Sequence, residues 1–259
     1  MDLERIHSPD NPTLKRIRHL LRDGASYRRS DWIWVEGDHL IRAAVERGWS
    51  AQTVVWTREA LQLWPQGLNL DARHVEVDVT LMRDLSTLET PAKVGALLAF
   101  KPVETVQVGV ATVVLDRLQD PGNAGSILRS ASAMGFRQVL ALRGTVALWS
   151  PKVVRAGMGA HFHLHVVEQL SAQALAQLQL PLLATSSHQG EWLHQARLPW
   201  PCAWLMGHEG QGVHEALMAQ AAQTLRIAQP GGEESLNVAA AAAICLHASA
   251  ISAQASGYN

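Results

Sequence analysis

Three stretches of this chain set glycines, amides and acids together at spacings that ordinary surface loops seldom need. The first is Gly231-Gly232-Glu233-Glu234-Ser235-Leu236-Asn237-Val238, which runs straight into Ala239–Ala243. A polar cluster at the start of a helix meets free backbone N–H groups and the positive end of the dipole, both of which attract electron-rich groups. The alanines on the following turns let another backbone approach closely. The second stretch is Trp204-Leu205-Met206-Gly207-His208-Glu209-Gly210-Gln211-Gly212-Val213. The third leaves the apolar run Val113-Val114-Leu115 through Asp120-Pro121-Gly122-Asn123 into a helix carrying Arg129. Asp-Pro-Gly-Asn is turn chemistry, and Asn123 is expected to cap the helix. From its place in that helix, the long side chain of Arg129 can reach back across the strand ends.

All three share one design: apolar strand, glycine-rich polar loop, helix. In open α/β sheets ligands bind outside the carboxyl ends of the strands, where such loops converge. A small-molecule pocket with largely backbone walls is therefore expected. No Gly-Lys-Ser/Thr follows any of the glycines, so none is a phosphate-binding Walker loop, and Gly207, Gly210 and Gly212 give G-x-x-G-x-G rather than the dinucleotide fingerprint. A nucleotide-dependent oxidoreductase thus lacks its signature. Each loop alone also reads as a plain turn; together they read as a site.

The elements that must hold these loops follow from the apolar pattern. Before residue 101, strands are expected at Trp32–Val35, Thr53–Trp56, Val75–Val77 and Val94–Phe100, with helices at Pro12–Asp23, Asp38–Arg47, Arg58–Leu63 and Thr80–Leu85. That alternation argues for a small α/β sandwich over residues 1–101. The polar segment 102–107 reads as a linker. Residues 108–259 form a second α/β series, with strands expected at Val110–Leu115, Val139–Leu142, His161–Val167, Leu182–Thr185, Trp204–Met206 and Leu225–Ile227. Repeated crossovers between apolar strands predict a mostly parallel sheet.

Composition narrows the class. Apolar residues make up 47% and charged residues 17%, which is globular rather than disordered. The net charge of −1 hides a basic segment between Asn11 and Arg29, where Lys15, Arg16, Arg18, Arg22, Arg28 and Arg29 face the single acid Asp23. Such an arm suits a polyanionic partner, although a solvated helix face explains it as well. Cys202 and Cys245 lie in apolar stretches without metal spacing, as small buried hydrophobes of a reducing compartment. The N-terminus lacks the apolar core of a signal peptide, and Val238–Ala255 is too rich in alanine and serine to read as a membrane span, so a cytoplasmic protein without a membrane partner is expected. His161, His163 and His165 alternate as if along one strand face, yet a metal needs converging geometry and further ligands, so no metal is expected. The tryptophans of the first half (Trp32, Trp34, Trp49, Trp56, Trp64) read as core.

Asn123…Arg129, Gly207–Gly212 and Ser235-Leu236-Asn237-Val238 resemble, in order and spacing, the three signature motifs of the SpoU (TrmH-type) branch of SPOUT RNA methyltransferases. Val35-Glu36-Gly37-Asp38 and Leu88-Glu89-Thr90-Pro91 resemble pieces of the substrate-binding domain, a ribosomal-protein-like RNA-binding fold, that often precedes the catalytic one. The resemblance covers nearly the whole chain. It implies a deep trefoil knot in the catalytic half, formed around Gly207–Gly212 and Ile227–Val238, a homodimer, and S-adenosylmethionine as methyl donor to a ribose 2′-hydroxyl in RNA. Ribosomal RNA is favoured over transfer RNA because a recognition domain precedes the knot.

Carried onto these positions, the resemblance implies cofactor contacts at Thr185, Leu205, Gly207, Ile227, Gln229, Leu236 and Val238. Ile227 and Leu236 also read as core, and Gly207 as a turn glycine. Arg129 is expected to act on the 2′-hydroxyl, with Asn123, Glu209, Ser235 and Asn237 orienting it, the ribose and the cofactor; Asn123 and Ser235 also read as helix caps. RNA contacts are expected at Lys15, Arg16, Arg18, Arg22 and Arg155. A transfer-RNA methyltransferase and a knotted RNA-binding protein without catalysis are the competing readings.

Overall fold

Apolar, β-branched and aromatic runs build two separate sheets, one in each of the two units into which the chain divides. The computed structural model describes residues 3–232, 235–255 and 257. One unit runs through Pro102 and takes in Trp149–Phe162; the other comprises Val103–Leu148 and the chain from His163 onward.

In the first unit, β1 (Leu3–Arg5), β2 (Trp32–Glu36), β3 (Ala51–Trp56), β4 (Arg73–Glu76) and β5 (Val94–Ala99) form a sheet in the order β1-β4-β3-β5-β2. Strands β1, β4 and β3 are mutually parallel, and β5 runs antiparallel to β3 and β2. The short edge strand β1 has no counterpart among the sequence expectations. Helices α1 (Pro12–Arg22), α2 (Tyr27–Ser30), α3 (Asp38–Val45), α4 (Arg58–Leu63) and α5 (Val79–Arg83) connect the strands. Asn11 starts α1 by accepting from the Thr13 amide at 2.9 Å. That helix buries Leu14, Ile17 and Leu20 and leaves Lys15, Arg16 and Arg22 exposed. Trp34 and Trp56 are fully buried, and each satisfies its indole N–H: Trp34 donates to the Leu85 carbonyl and Trp56 to His74 Nδ1, both at 3.1 Å.

Among the described residues, the second unit holds seven strands: β6 (Thr112–Leu115), β7 (Gln138–Leu142), β8 (His165–Leu170), β9 (Leu182–Thr185), β10 (Glu191–Trp192), β11 (Ala203–Met206) and β12 (Gln223–Arg226). Their order is β10-β12-β9-β11-β6-β7-β8, and every pairing is parallel. Strands β6, β7 and β11 are buried at each position, the pattern of a parallel sheet covered on both faces. Between them lie α6 (Pro121–Ala133), α7 (Pro151–Ala156, part of the first unit) and α8 (Glu215–Met218), and α9 (Val238–Ala255) follows the last strand. The segment 103–107 is held within this unit: Val103 bridges Val167, and the Gln107 amide donates to Gln138 Oε1 at 2.7 Å.

One sequence expectation fails here. His161 and His163 sit in a 3-10 turn over Ala160–His163, and only His165 enters a strand, so the three do not share a strand face. Gly159, at a φ of 89°, turns the backbone just before them, which breaks the alternation that their spacing suggests. No metal-binding group occurs among the described residues. Helix α9 is long and apolar enough by length and composition alone to cross a membrane, with a mean hydropathy of 1.5 over its 18 residues. Its inner side packs on α6 and β11, burying Ala242, Cys245, Leu246 and Ser249, and Trp204 Nε1 donates to Ser249 Oγ at 2.9 Å. Burial pushes both cysteine thiols up to about 12, so Cys202 and Cys245 stay protonated.

Candidate active site

With all strands of the second sheet parallel, the loops leaving β6, β9, β11 and β12 emerge at one edge. Three of them are the glycine-rich loops picked out in the sequence; the fourth is Ser186–Gln189. Together the loops after β9, β11 and β12 wall a cavity of about 740 Å³. Thr185, Gly207, Ile227, Gln229, Leu236 and Val238 line it, as do Glu209 and Ser235. Leu205 lies deeper, fully buried in β11 within the core cluster, and is not part of the wall. Glycine is obligatory at 207: a Cβ there would lie 2.1 Å from Gly212 C and Val213 N, where the loop folds back on itself through the His208–Gly212 bridge. Glu233 and Glu234 lie outside the described residues.

A chain of hydrogen bonds ties the three motifs together. Glu209, from the loop after β11, accepts from the Gln119 amide at 3.1 Å, the Asp120 amide at 2.9 Å and Asn123 Nδ2 at 3.2 Å. Asn123 Oδ1 in turn accepts from Asn237 Nδ2 at 3.0 Å. Asn237 Oδ1 then caps α9, accepting from the Ala239 amide at 2.9 Å and the Ala240 amide at 3.2 Å. Burial is the largest single influence on the Glu209 carboxyl and raises its pKa. The hydrogen bonds from backbone amides and Asn123 together outweigh it and hold the carboxyl below the usual carboxylate range.

The cap of α6 corrects the sequence reading. Asp120, not Asn123, occupies the N-cap: its Oδ1 accepts from the Asn123 amide at 2.7 Å. Pro121 at the first helical position sets the start three residues earlier than expected, which frees the Asn123 side chain to bridge Glu209 and Asn237.

An ion pair missed in the sequence braces the same wall. Asp116, at the carboxyl end of β6, has a side chain only 4% exposed and binds Arg117 through two oxygens, at 3.1 and 3.2 Å. Its Oδ2 also accepts from the His214 amide at 2.7 Å. Arg117, at a φ of 56°, donates to Gln211 Oε1 at 3.0 Å and to the Gly212 carbonyl at 3.4 Å. The hydrogen bond to Asp116 raises the Arg117 pKa further. An acid directly after an apolar strand, followed by arginine, was the available signal.

Arg129 is exposed on α6 and makes no hydrogen bond or ion pair among the described residues. It does not line the cavity. Of the basic face, Lys15 pairs with Asp10 at 2.9 Å, Arg16 lies 5.5 Å from the Trp32 ring centroid, and half-buried Arg18 donates to the Pro9 carbonyl. Arg22 is exposed. Arg155 is engaged within the first unit, 3.9 Å from Glu36 and donating to Thr87 Oγ1 at 3.3 Å.

Comparison with known proteins gives this geometry a lineage. Residues 111–247 match the SpoU rRNA Methylase family, and residues 11–96 match the MRM3-like substrate binding domain. The chain is 25% identical over 248 residues to the Bacillus subtilis 23S rRNA (guanosine(2553)-2′-O)-methyltransferase RlmP, covering 95% of this chain and 98% of that one. It is 29% identical over 229 residues to zebrafish (Danio rerio) mitochondrial rRNA methyltransferase 3B, covering 80% of this chain but only 51% of the relative, so it spans about half of that protein. Among solved structures, the AdoMet-bound rRNA methyltransferase of Sinorhizobium meliloti superposes with a TM-score of 0.82 at 26% identity, covering 95% of this chain and 97% of the other. The SpoU methyltransferase AviRb of Streptomyces viridochromogenes, in complex with AdoMet, gives 0.82 at 25% identity, covering 95% and 100%. The family match takes in more than half of the chain and all three linked motifs, and on that ground the chain belongs to the SpoU rRNA methylase family.

Proposed function

We propose that this chain is an S-adenosylmethionine-dependent RNA methyltransferase that methylates a ribose 2′-hydroxyl, with ribosomal RNA as its substrate. The observation that carries this reading is the Glu209–Asn123–Asn237 chain, which locks three family motifs together beside a cofactor-sized cavity. The residues present fit the cofactor. Gln229 Oε1 is buried on the cavity wall and has no hydrogen-bond partner among the described residues, an acceptor ready for an amino group. Ile227, Leu236 and Val238 offer apolar surface to a purine, and Gly207 lets backbone approach the ligand. When bound, S-adenosylmethionine supplies an electrophilic sulfonium methyl group.

The chain's own residues position the acceptor. In-line placement of two reactants contributes up to ~7–11 kcal/mol in the best intramolecular cases. Arginine keeps its proton in proteins, so the role of Arg129 is to hold an RNA phosphate and stabilise the developing alkoxide. Asn123, Glu209, Ser235 and Asn237 set the geometry around it. Lys15, Arg16, Arg18 and Arg22 give the first unit a phosphate-binding face. The names of the relatives favour ribosomal RNA.

The protein acts as a homodimer. Helix α9 turns Ala240, Ile244, His247 and Ile251 outward at alternating spacings of four and three, the stripe of a helix that packs on another. Ile244 and Ile251 are 41% and 50% exposed. Two buried, unpaired cysteines suit the reducing cytoplasm. Calorimetry with S-adenosylmethionine, followed by transfer of labelled methyl to ribosomal and transfer RNA, tests the reading. Binding and transfer to ribosomal RNA are expected; a folded protein that binds no cofactor overturns it, and transfer to transfer RNA alone overturns the substrate.

A further inference from the structure

The first unit has a cavity of its own, about 510 Å³, at the carboxyl ends of its three parallel strands β1, β3 and β4. Its lining is unusual for a protein surface. Ile6 and Val77 are buried in it, whereas Val79 is 65% exposed despite its apolar side chain. Arg5 and Arg58 reach it from β1 and α4, and one carboxylate holds both. Glu76 accepts from Arg5 Nε at 3.0 Å and from Arg58 Nε at 3.3 Å. The Glu76 side chain is only 12% exposed, and those of Arg5 and Arg58 are 57% and 70% exposed.

This arrangement commits the acids and leaves the outer guanidinium nitrogens open. Because Glu76 engages each arginine through Nε, the terminal nitrogens of both forks make no hydrogen bond among the described residues. Asp78 Oδ1 is taken by the Leu81 amide at 2.8 Å, and Glu59 by Lys93 Nζ. Two pre-oriented guanidinium ends thus stand over an apolar recess. Guanidinium forks match phosphate oxygens, and an apolar recess matches the face of an unstacked base. Arg5, Arg58 and Lys93 balance Glu59, Glu76 and Asp78 in charge, so the two guanidinium ends suit a single phosphodiester rather than a polyphosphate.

We propose that this cavity receives one unpaired nucleotide of the RNA substrate, its base against Ile6, Val77 and Val79 and its phosphate on the free ends of Arg5 and Arg58. The proposal rests on the RNA methyltransferase reading above. It adds a second anchor on the RNA, on a different surface element from the basic face of α1.

The test uses the full chain and an rRNA fragment that the wild-type protein methylates, with RNA affinity measured over a series of salt concentrations. Arg5→Gln/Arg58→Gln is expected to weaken RNA binding about tenfold and to reduce the salt slope by about one to two. Val79→Trp, a change at an exposed position that fills the mouth, is expected to weaken binding with the slope unchanged. Cofactor affinity stays at the wild-type value in both. Wild-type RNA affinity and slope in the arginine double variant overturn the proposal, as does wild-type affinity in Val79→Trp. Failure of the wild-type protein itself to bind or methylate RNA overturns the functional reading instead.

Discussion

Glu209 offers the sharpest perturbation. Its carboxylate accepts three hydrogen bonds from the loop and first turn after β6, and it sits on a loop that forms the cavity wall. In Glu209→Gln, one oxygen becomes an amide nitrogen. If the remaining oxygen keeps the Asp120 and Asn123 donors, the new NH₂ faces the Gln119 N–H, and a bond turns into a repulsion. Hydrogen bonds to charged groups contribute ~1.5–3 kcal/mol when desolvated, but Glu209 is exposed, so screening trims each to about 0.5–1 kcal/mol. Losing one bond, weakening two and adding the repulsion costs about 1–2 kcal/mol of loop order. If only the ordered loop binds, S-adenosylmethionine affinity falls by roughly 5- to 30-fold, as measured by calorimetry at neutral pH.

The acid limb follows from the sign of the pKa shift. The Glu209 carboxyl is held below its ordinary value in the fold. Its contribution is therefore complete above the usual carboxylate pKa of ~4.3 and is lost as pH falls through the lower, folded value. Wild-type affinity should stay flat from neutral pH into the mildly acidic range and drop below it, with that Glu209-dependent drop missing from the glutamine variant. An affinity within twofold of wild type, together with an unchanged methylation rate, would refute the linking role of Glu209.

Three further outcomes are expected. Arg129→Ala abolishes methyl transfer and leaves cofactor affinity near wild type, because Arg129 does not line the cavity; near wild-type turnover in a single-turnover assay removes its role. Neutralising Arg16, Arg18 and Arg22 together weakens RNA binding and flattens its salt dependence in filter binding, and unchanged affinity returns that helix face to solvent. In the first unit, burial raises the Glu36 pKa, despite its hydrogen bond to Ser86 and the Arg155 charge. That contribution is present below the ordinary carboxylate pKa and lost as pH rises through the raised, folded value. Glu36→Gln should therefore gain thermal stability relative to wild type as pH rises from about 4 to 7; melting curves whose difference does not change with pH contradict this.

Much of the site was legible because its chemistry sits in the backbone. Glycine-rich loops after apolar strands marked the cavity edge, and Asn123, Glu209 and Asn237 sat in the motifs those loops carry. What stayed hidden depended on long-range partners. Strand β1 is three residues long and exists only because β4, some seventy residues on, supplies its ladder. The Asp116–Arg117 brace is visible only once the Gly207–His214 loop lies beside it. Asn123 looked like a cap because Asn and Asp are interchangeable at that position, and Pro121 decided in favour of Asp120. The histidines were misread because alternation fits a strand, whereas a tight 3-10 turn repeats every three residues.

The central claim is that the methyl group ends on a ribose oxygen of ribosomal RNA. Ribosomal RNA methylated in vitro with methyl-labelled S-adenosylmethionine, digested to nucleosides and separated, tests it most directly. All of the label is expected in one 2′-O-methylnucleoside, and none when Arg129→Ala replaces the wild-type protein. Label on a base, or no transfer by a protein that binds the cofactor, would contradict the account.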